Sequence, residues 1–162
     1  LVTDSTVKDS TGKWRKYSFL PARVIGNTVT LQNNFLTIER GTLQGVHKGM
    51  AVASSQGIVG VVVEAGPNIS RVMSLLHRNS KVSAMLKKDK VAGSLEWDGA
   101  DPEFLILRNI PKSSVIKKGD SVLTFSLKVK TAVNFFNIQY VYLIENARYT
   151  EQITIETPSP VK

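Results

Sequence analysis

Ile58-Val59-Gly60-Val61-Val62-Val63 stands between Gln56-Gly57 and Gly66-Pro67-Asn68, and every residue of the run except Gly60 is β-branched. Such side chains are stiff at χ1 and pack well on a pleated surface. The run is too short for an ordinary helix and turn residues close both ends, so it reads as a buried strand. Gly57 and Gly60 lie within that strand pattern and read as places where a sheet bends, not as a phosphate cradle.

The same habit extends in both directions. Upstream, Ala22 to Ile25 is apolar but for Arg23, and Gly26-Asn27 supplies a turn. Thr28-Val29-Thr30-Leu31 alternates, Asn33-Asn34 signals another turn, and Phe35-Leu36-Thr37-Ile38 reads as a strand closed by Glu39-Arg40-Gly41. Thr42 to Lys48 has room for one short helical turn before the strand Met50-Ala51-Val52-Ala53. Downstream, strands are expected over 70–76, 82–86, 92–97, 104–107, 121–125, 128–133 and 138–144, with Asp98-Gly99, Ile110-Pro111 and Gly119-Asp120 between them. Many short strands and no long amphipathic helix indicate an all-β protein of barrel or sandwich type rather than βαβ units. A boundary falls near the charged stretch 78–90, and the chain divides into a first unit over 19–80 and a second over 81–135. The strand over 136–146 is available to complete the first. Residues 1–18 read as a flexible lead-in or one edge hairpin, and 147–162 as a tail.

The chain has 162 residues, enough for one domain or for two small ones that lean on each other. It starts at Leu1 rather than Met, which reads as a processed product or an excised piece. No apolar run approaches the ~20 residues that span a bilayer, and residues 1–16 are too polar for a signal peptide. The piece as given is therefore expected to be soluble, with room for an anchor upstream of Leu1. Without cysteine there are no disulfides and no thiolate metal sites. The net charge of +8 favours anionic partners. It is densest at Arg78, Lys81, Lys87, Lys88 and Lys90, and again at Arg108, Lys112, Lys117 and Lys118. Both stretches read first as solvated loops and strand faces, and second as a binding patch.

His47 and His77 are the two histidines, and neither has a second histidine at ligand spacing or a carboxylate cluster beside it. No metal and no cofactor is expected. Gly119-Asp120-Ser121 resembles the start of the nucleophile motif of chymotrypsin-like serine proteases. His47 or His77, Asp98 or Asp101, and Ser121 stand in that family's order of base, orienter and nucleophile. The motif breaks after Ser121, where a glycine should follow and Val122-Leu123-Thr124 reads as a strand. No catalytic residue is expected. The other alternative is a small β-barrel that binds nucleic acid through a basic groove with stacking aromatics. Phe135-Phe136, Tyr140 and Tyr142 are not interleaved with the Lys/Arg stretches, so no nucleic acid is expected.

Taken in order, a series of segments resembles the core of the bacterial rod shape-determining MreC family. It opens with Ala22-Arg23-Val24-Ile25, Leu36-Thr37-Ile38-Glu39-Arg40-Gly41 and Gly45-Val46-His47-Lys48-Gly49-Met50-Ala51-Val52. Gly57-Ile58-Val59-Gly60-Val61-Val62, Ser70-Arg71-Val72 and Ser80-Lys81-Val82-Ser83-Ala84 continue it. Gly93-Ser94-Leu95-Glu96-Trp97-Asp98-Gly99 and Gly119-Asp120-Ser121-Val122-Leu123-Thr124 complete it. The similarity covers Pro21 to Asn146. It implies two small β-barrels packed together, preceded in the intact protein by a membrane helix and a coiled coil. It implies a periplasmic location, on the outer side of the cytoplasmic membrane, and a non-enzymatic scaffold of the cell-elongation machinery that maintains rod shape. The implied partners are a class B penicillin-binding protein directly, MreD, and MreB indirectly, with self-association into dimers or filaments.

One departure stands out. After Val122-Leu123-Thr124 the family continues with a further hairpin, whereas Phe125-Ser126 runs almost directly into Leu127-Lys128-Val129. Loss of strands from a closed barrel would expose unpaired edges. The expectation is a segment missing from the sequence between Ser126 and Leu127, which the mass of the whole protein tests. Partner binding is expected on an apolar patch with a polar rim. Phe104, Phe125, Phe135 and Tyr140 are the candidates, each in competition with a place in the barrel core.

Overall fold

A computed structural model describes residues 3–8, 14–120, 122–125, 135–148 and 154–157, with side chains placed over 19–120, at 122 and over 135–144. The strands are β1 (Thr3–Lys8), β2 (Trp14–Asn27), β3 (Asn33–Ile38), β4 (Met50–Ser54), β5 (Gly57–Ala65) and β6 (Ser70–His77). They continue with β7 (Lys81–Leu86), β8 (Ala92–Glu96), β9 (Ile106–Arg108), β10 (Val122–Phe125), β11 (Tyr140–Arg148) and β12 (Thr154–Thr157). Two 3-10 turns, Thr42–Gln44 and Phe135–Asn137, are the helical elements among the described residues.

Alternation decides which side chains go inside. Side chains project to opposite faces at successive strand positions, so a strand with one inner face buries every second residue. Asn34, Leu36 and Ile38 are buried in β3, and Val82, Ala84 and Leu86 in β7. β4 and β5 instead bury consecutive residues, 50–53 and 57–62, so both their faces are covered. The run Ile58 to Val62 lies in β5, where burial on both sides suits a continuous apolar sequence.

The first sheet runs β1-β2-β11-β4-β5-β6-β3 and closes through β2–β3 pairing. β2, β11, β4, β5, β6 and β3 thus ring a core, and β1 lies outside the ring on β2. Closure depends on β11, which comes from the C-terminal part of the chain and sits between β2 and β4. The second sheet, β12-β10-β7-β8-β9, ends on β12 and β9, which are not paired with each other. One apolar cluster joins the two sheets, from Leu36, Val52 and Leu143 in the barrel to Leu86, Leu95, Trp97 and Val122. β12 lies against β5, and the Gln32 Nε2 donates to the Gly99 carbonyl at 3.3 Å, tying a barrel loop to a loop of the second sheet.

Two places need glycine or a buried polar side chain. A Cβ on Gly60 would stand 2.0 Å from the Met73 carbonyl oxygen, so β6 approaches β5 as closely as backbone allows. At the far end of β6 the ladder with β3 slips: Asn33 faces His77 and Phe35 faces Met73, leaving Asn34 opposite residues 74–76. Buried side chains fill that β-bulge. The Ser74 Oγ accepts from the Leu76 N–H at 3.1 Å, and the Asn34 Nδ2 donates to the Leu76 carbonyl at 2.6 Å.

Several local expectations are corrected. Thr28 to Leu31, expected as a strand, is part of the loop from β2 to β3, and the Asn33-Asn34 turn is the start of β3. The Asn34 side chain closes that loop by accepting from the Leu31 N–H and donating to its carbonyl, at 3.0 and 2.7 Å. Of the two readings of residues 1–18, the edge hairpin agrees with the structure: residues 3–8 and 14–27 form the antiparallel pair β1–β2. Thr154–Thr157, read as tail, pairs with β10 as an edge strand. The alternating stretch 128–133 and the junction of Ser126 with Leu127 lie outside the described residues.

Candidate partner-binding surface

The outward face of β11 carries Tyr140 and Tyr142, 63% and 40% exposed, while Val141 and Leu143 point into the core. Strand register sets Tyr140 beside Arg23 and Tyr142 beside Pro21 on β2. Arg23 is itself held by Glu39 at 2.7 Å, an exposed pair worth little in stability. A groove of about 260 Å³ runs beside Tyr140, between the β4–β5 turn (Ser54, Ser55, Gln56) and Asn137 to Gln139. An aromatic row on a closed barrel is rigid, and each tyrosine presents an apolar ring with a polar tip.

The four candidate contact residues separate. Tyr140 is on the surface. Phe104 is half-buried in the connection from β8 to β9, where its N–H donates to the Asp101 carbonyl at 3.3 Å. Phe135 is a core residue at 6% exposure, and its carbonyl accepts from the Asn27 Nδ2 at 2.7 Å. As a surface contact Phe135 is corrected: the 3-10 turn sends its ring inward and leaves Phe136 outside at 59%. Phe125 ends β10 opposite Thr154, and its side chain lies outside the described residues. Tyr142 and Phe136 were not among the candidates. Period two from Tyr140 would have found Tyr142; no local signal tells which ring of the Phe135-Phe136 pair faces out.

The residues of the protease alternative have local partners. The His47 ring is exposed, with its Nδ1 3.3 Å from the Lys48 carbonyl. His77 is buried, its Nδ1 accepts from the Asn79 N–H at 3.0 Å, and its ring stands edge-on to Phe35 with centroids 5.0 Å apart. Burial, and then the nearby Arg71 guanidinium, hold its pKa below the usual histidine value. Asp98 accepts from the Ala100 N–H and Asp101 from the Glu103 N–H, both at 2.9 Å, as turn-closing carboxylates. Ser121 lies outside the described residues. No group of three or more His, Asp or Glu side chains among the described residues is placed to hold a metal.

The basic stretches meet. The Lys88 ammonium, in the β7–β8 turn, donates to the Val115 carbonyl and pairs with Asp120 at 2.8 Å, so the turn is clipped to the loop before β10. The hydrogen bond from Lys88, then that from the Lys117 N–H, holds the Asp120 carboxyl below its ordinary value.

Comparison with known proteins gives one family. The family model for the rod shape-determining protein MreC, barrel core, matches residues 24–129. The cell shape-determining protein MreC of Listeria monocytogenes is 31% identical over 131 residues, 79% of this chain and 44% of that protein. The structure of MreC from Listeria monocytogenes superposes with a TM-score of 0.70 at 24% identity, covering 86% of this chain and 79% of that one. A structure of the major periplasmic domain from the cell shape-determining filament MreC gives a TM-score of 0.63 at 22% identity, covering 81% and 99%. The chain spans less than half the length of the curated relatives it matches.

Proposed function

The chain belongs to the MreC family of rod shape-determining proteins, and from that premise we propose that it is a non-enzymatic docking scaffold of the cell-elongation machinery, working on the outer side of the cytoplasmic membrane. Its direct partner is a class B penicillin-binding transpeptidase. It is linked through MreD to MreB, and it associates with copies of itself, a reading supported by the relative that is a cell shape-determining filament. An anchor helix upstream of Leu1 holds it to the membrane; no helix among the described residues is long and apolar enough to cross one.

The observation that carries the reading is the pair of outward tyrosines on β11, beside a shallow groove and on a barrel closed by that same strand. Tyrosine is enriched where protein partners bury surface, because it brings large contact area at low entropic cost. The test is a binding titration with the soluble domain of the transpeptidase. Tyr140→Ala should weaken binding by about 2 kcal/mol, the range of an aromatic anchor. Phe104→Ala should weaken it if the second sheet shares the interface. Unchanged affinity for both variants would discard this surface, and no binding by the unaltered chain would discard the partner.

A further inference from the structure

We infer that the β7–β8 turn and the loop before β10 together form a docking site for an anionic lipid surface. The inference does not rest on the scaffold reading. Two basic stretches that lie apart in sequence are brought side by side by the contacts of Lys88 with Val115 and Asp120. At their junction Val115 and Ile116 face outward, 65% and 41% exposed. Along the chain Lys112 stands on one side of that aliphatic pair and Lys117 and Lys118 on the other, and Lys90 belongs to the clipped turn beside Asp89; all four lysines are exposed, and the Asp120 carboxylate that holds Lys88 also interacts with the Lys117 charge.

The tip is built, not loose. The Ser114 N–H donates to the Pro111 carbonyl at 3.0 Å, and the Asp120 N–H to the Lys117 carbonyl at 3.1 Å. The Lys117 N–H donates to the Asp120 carboxylate at 2.8 Å. Val115 and Ile116 are therefore presented between two hydrogen-bonded turns, with one carboxylate closing the second turn and clipping Lys88.

The chemistry selects the partner. Lysine is a compact point charge that suits a diffuse anionic surface, whereas recognition of a single phosphate or carboxylate favours the arginine fork. The apolar element is aliphatic, so it offers nothing for nucleobases to stack on. Lysine is depleted in protein interfaces, which draw on aromatic residues, Met and Arg. Two exposed aliphatic side chains flanked along the chain by exposed lysines fit a plane with negative head groups above a hydrocarbon layer.

The test is co-sedimentation of the 162-residue chain with vesicles. Binding is expected to phosphatidylcholine vesicles containing phosphatidylglycerol, to weaken with added salt as screening shortens, and to be absent from pure phosphatidylcholine. Lys117→Glu should weaken binding at least about fivefold, the effect of one surface lysine. Lys48→Glu, which changes net charge equally at an exposed position on the barrel, should leave it within about twofold. Val115→Ser with Ile116→Ser should weaken it about tenfold at unchanged net charge. Circular dichroism and melting of each variant establish that it is folded; should a variant be misfolded, single Lys112→Gln and Lys118→Gln replacements carry the test. Equal losses for Lys117→Glu and Lys48→Glu would overturn the site in favour of diffuse charge attraction. Equal binding to both vesicle types, or binding to single-stranded DNA but not to vesicles, would overturn the lipid assignment.

Discussion

Replacing Asn34 by alanine tests whether the β3–β6 bulge is held by side chains. The Asn34 side chain is fully buried and makes three hydrogen bonds: to the Leu76 carbonyl at 2.6 Å, to the Leu31 carbonyl at 2.7 Å, and from the Leu31 N–H at 3.0 Å. The two bonds to Leu31 close a partly solvated loop, and neutral bonds of that kind contribute about 1 kcal/mol each. The Leu76 carbonyl is the costlier loss: the bulge leaves it facing Asn34, and an unsatisfied buried acceptor costs about 1–3 kcal/mol. The combined loss is about 4 kcal/mol, which lowers Tm by roughly 8–16 °C in a chain of this size. Asn33→Ala, one residue away and exposed, should stay within about 0.5 kcal/mol. Asn34→Asp adds a signature that a packing defect lacks. A buried carboxylate facing two carbonyl oxygens has a raised pKa. That variant should be most stable in mild acid and lose stability as pH rises through the ordinary carboxyl value of ~3.9 toward its raised value. The assay is urea or thermal unfolding at several pH values. Equal Tm for the Asn34→Ala and Asn33→Ala variants, or a pH-independent Asn34→Asp variant, would refute the account of the bulge.

Gly60→Ala puts a methyl group against the Met73 carbonyl, a backbone atom that cannot rotate away, so destabilisation of about 3 kcal/mol is expected in the urea midpoint. His77, with its pKa lowered from 6.5, contributes stability that is complete above that value and is lost as pH falls from there through its lower folded value. The Tm of the unaltered chain should therefore decline below pH 6.5, and His77→Gln should remove that part of the slope.

Strand content was legible because it is a local property. Ile58 to Val63 could be read as a buried strand from six neighbouring positions, and Phe35 to Ile38 as a strand from four. The same local logic failed at residues 28–34. Thr28 to Leu31 alternates like a strand, and Asn33-Asn34 looks like a turn, yet the structure reverses both because the Asn34 amide has a partner forty-two residues away in Leu76. The candidate surface divides the same way. Tyr140 could be picked as an aromatic in a strand, but the inward turn of Phe135 depends on Asn27, which lies 108 residues earlier.

By itself, then, the order of residues determined the strands, the apolar faces that have to be hidden and the family resemblance. All of these rest on neighbours within a few positions, where propensity and periodicity act. Only tertiary structure decided that β11 returns to close the barrel, that a buried asparagine fills a bulge, and that two lysine-rich stretches share one tip through Lys88. Each of these is a pairing between distant segments, chosen by which arrangement satisfies buried backbone groups and covers apolar surface together, a condition no short window of sequence contains.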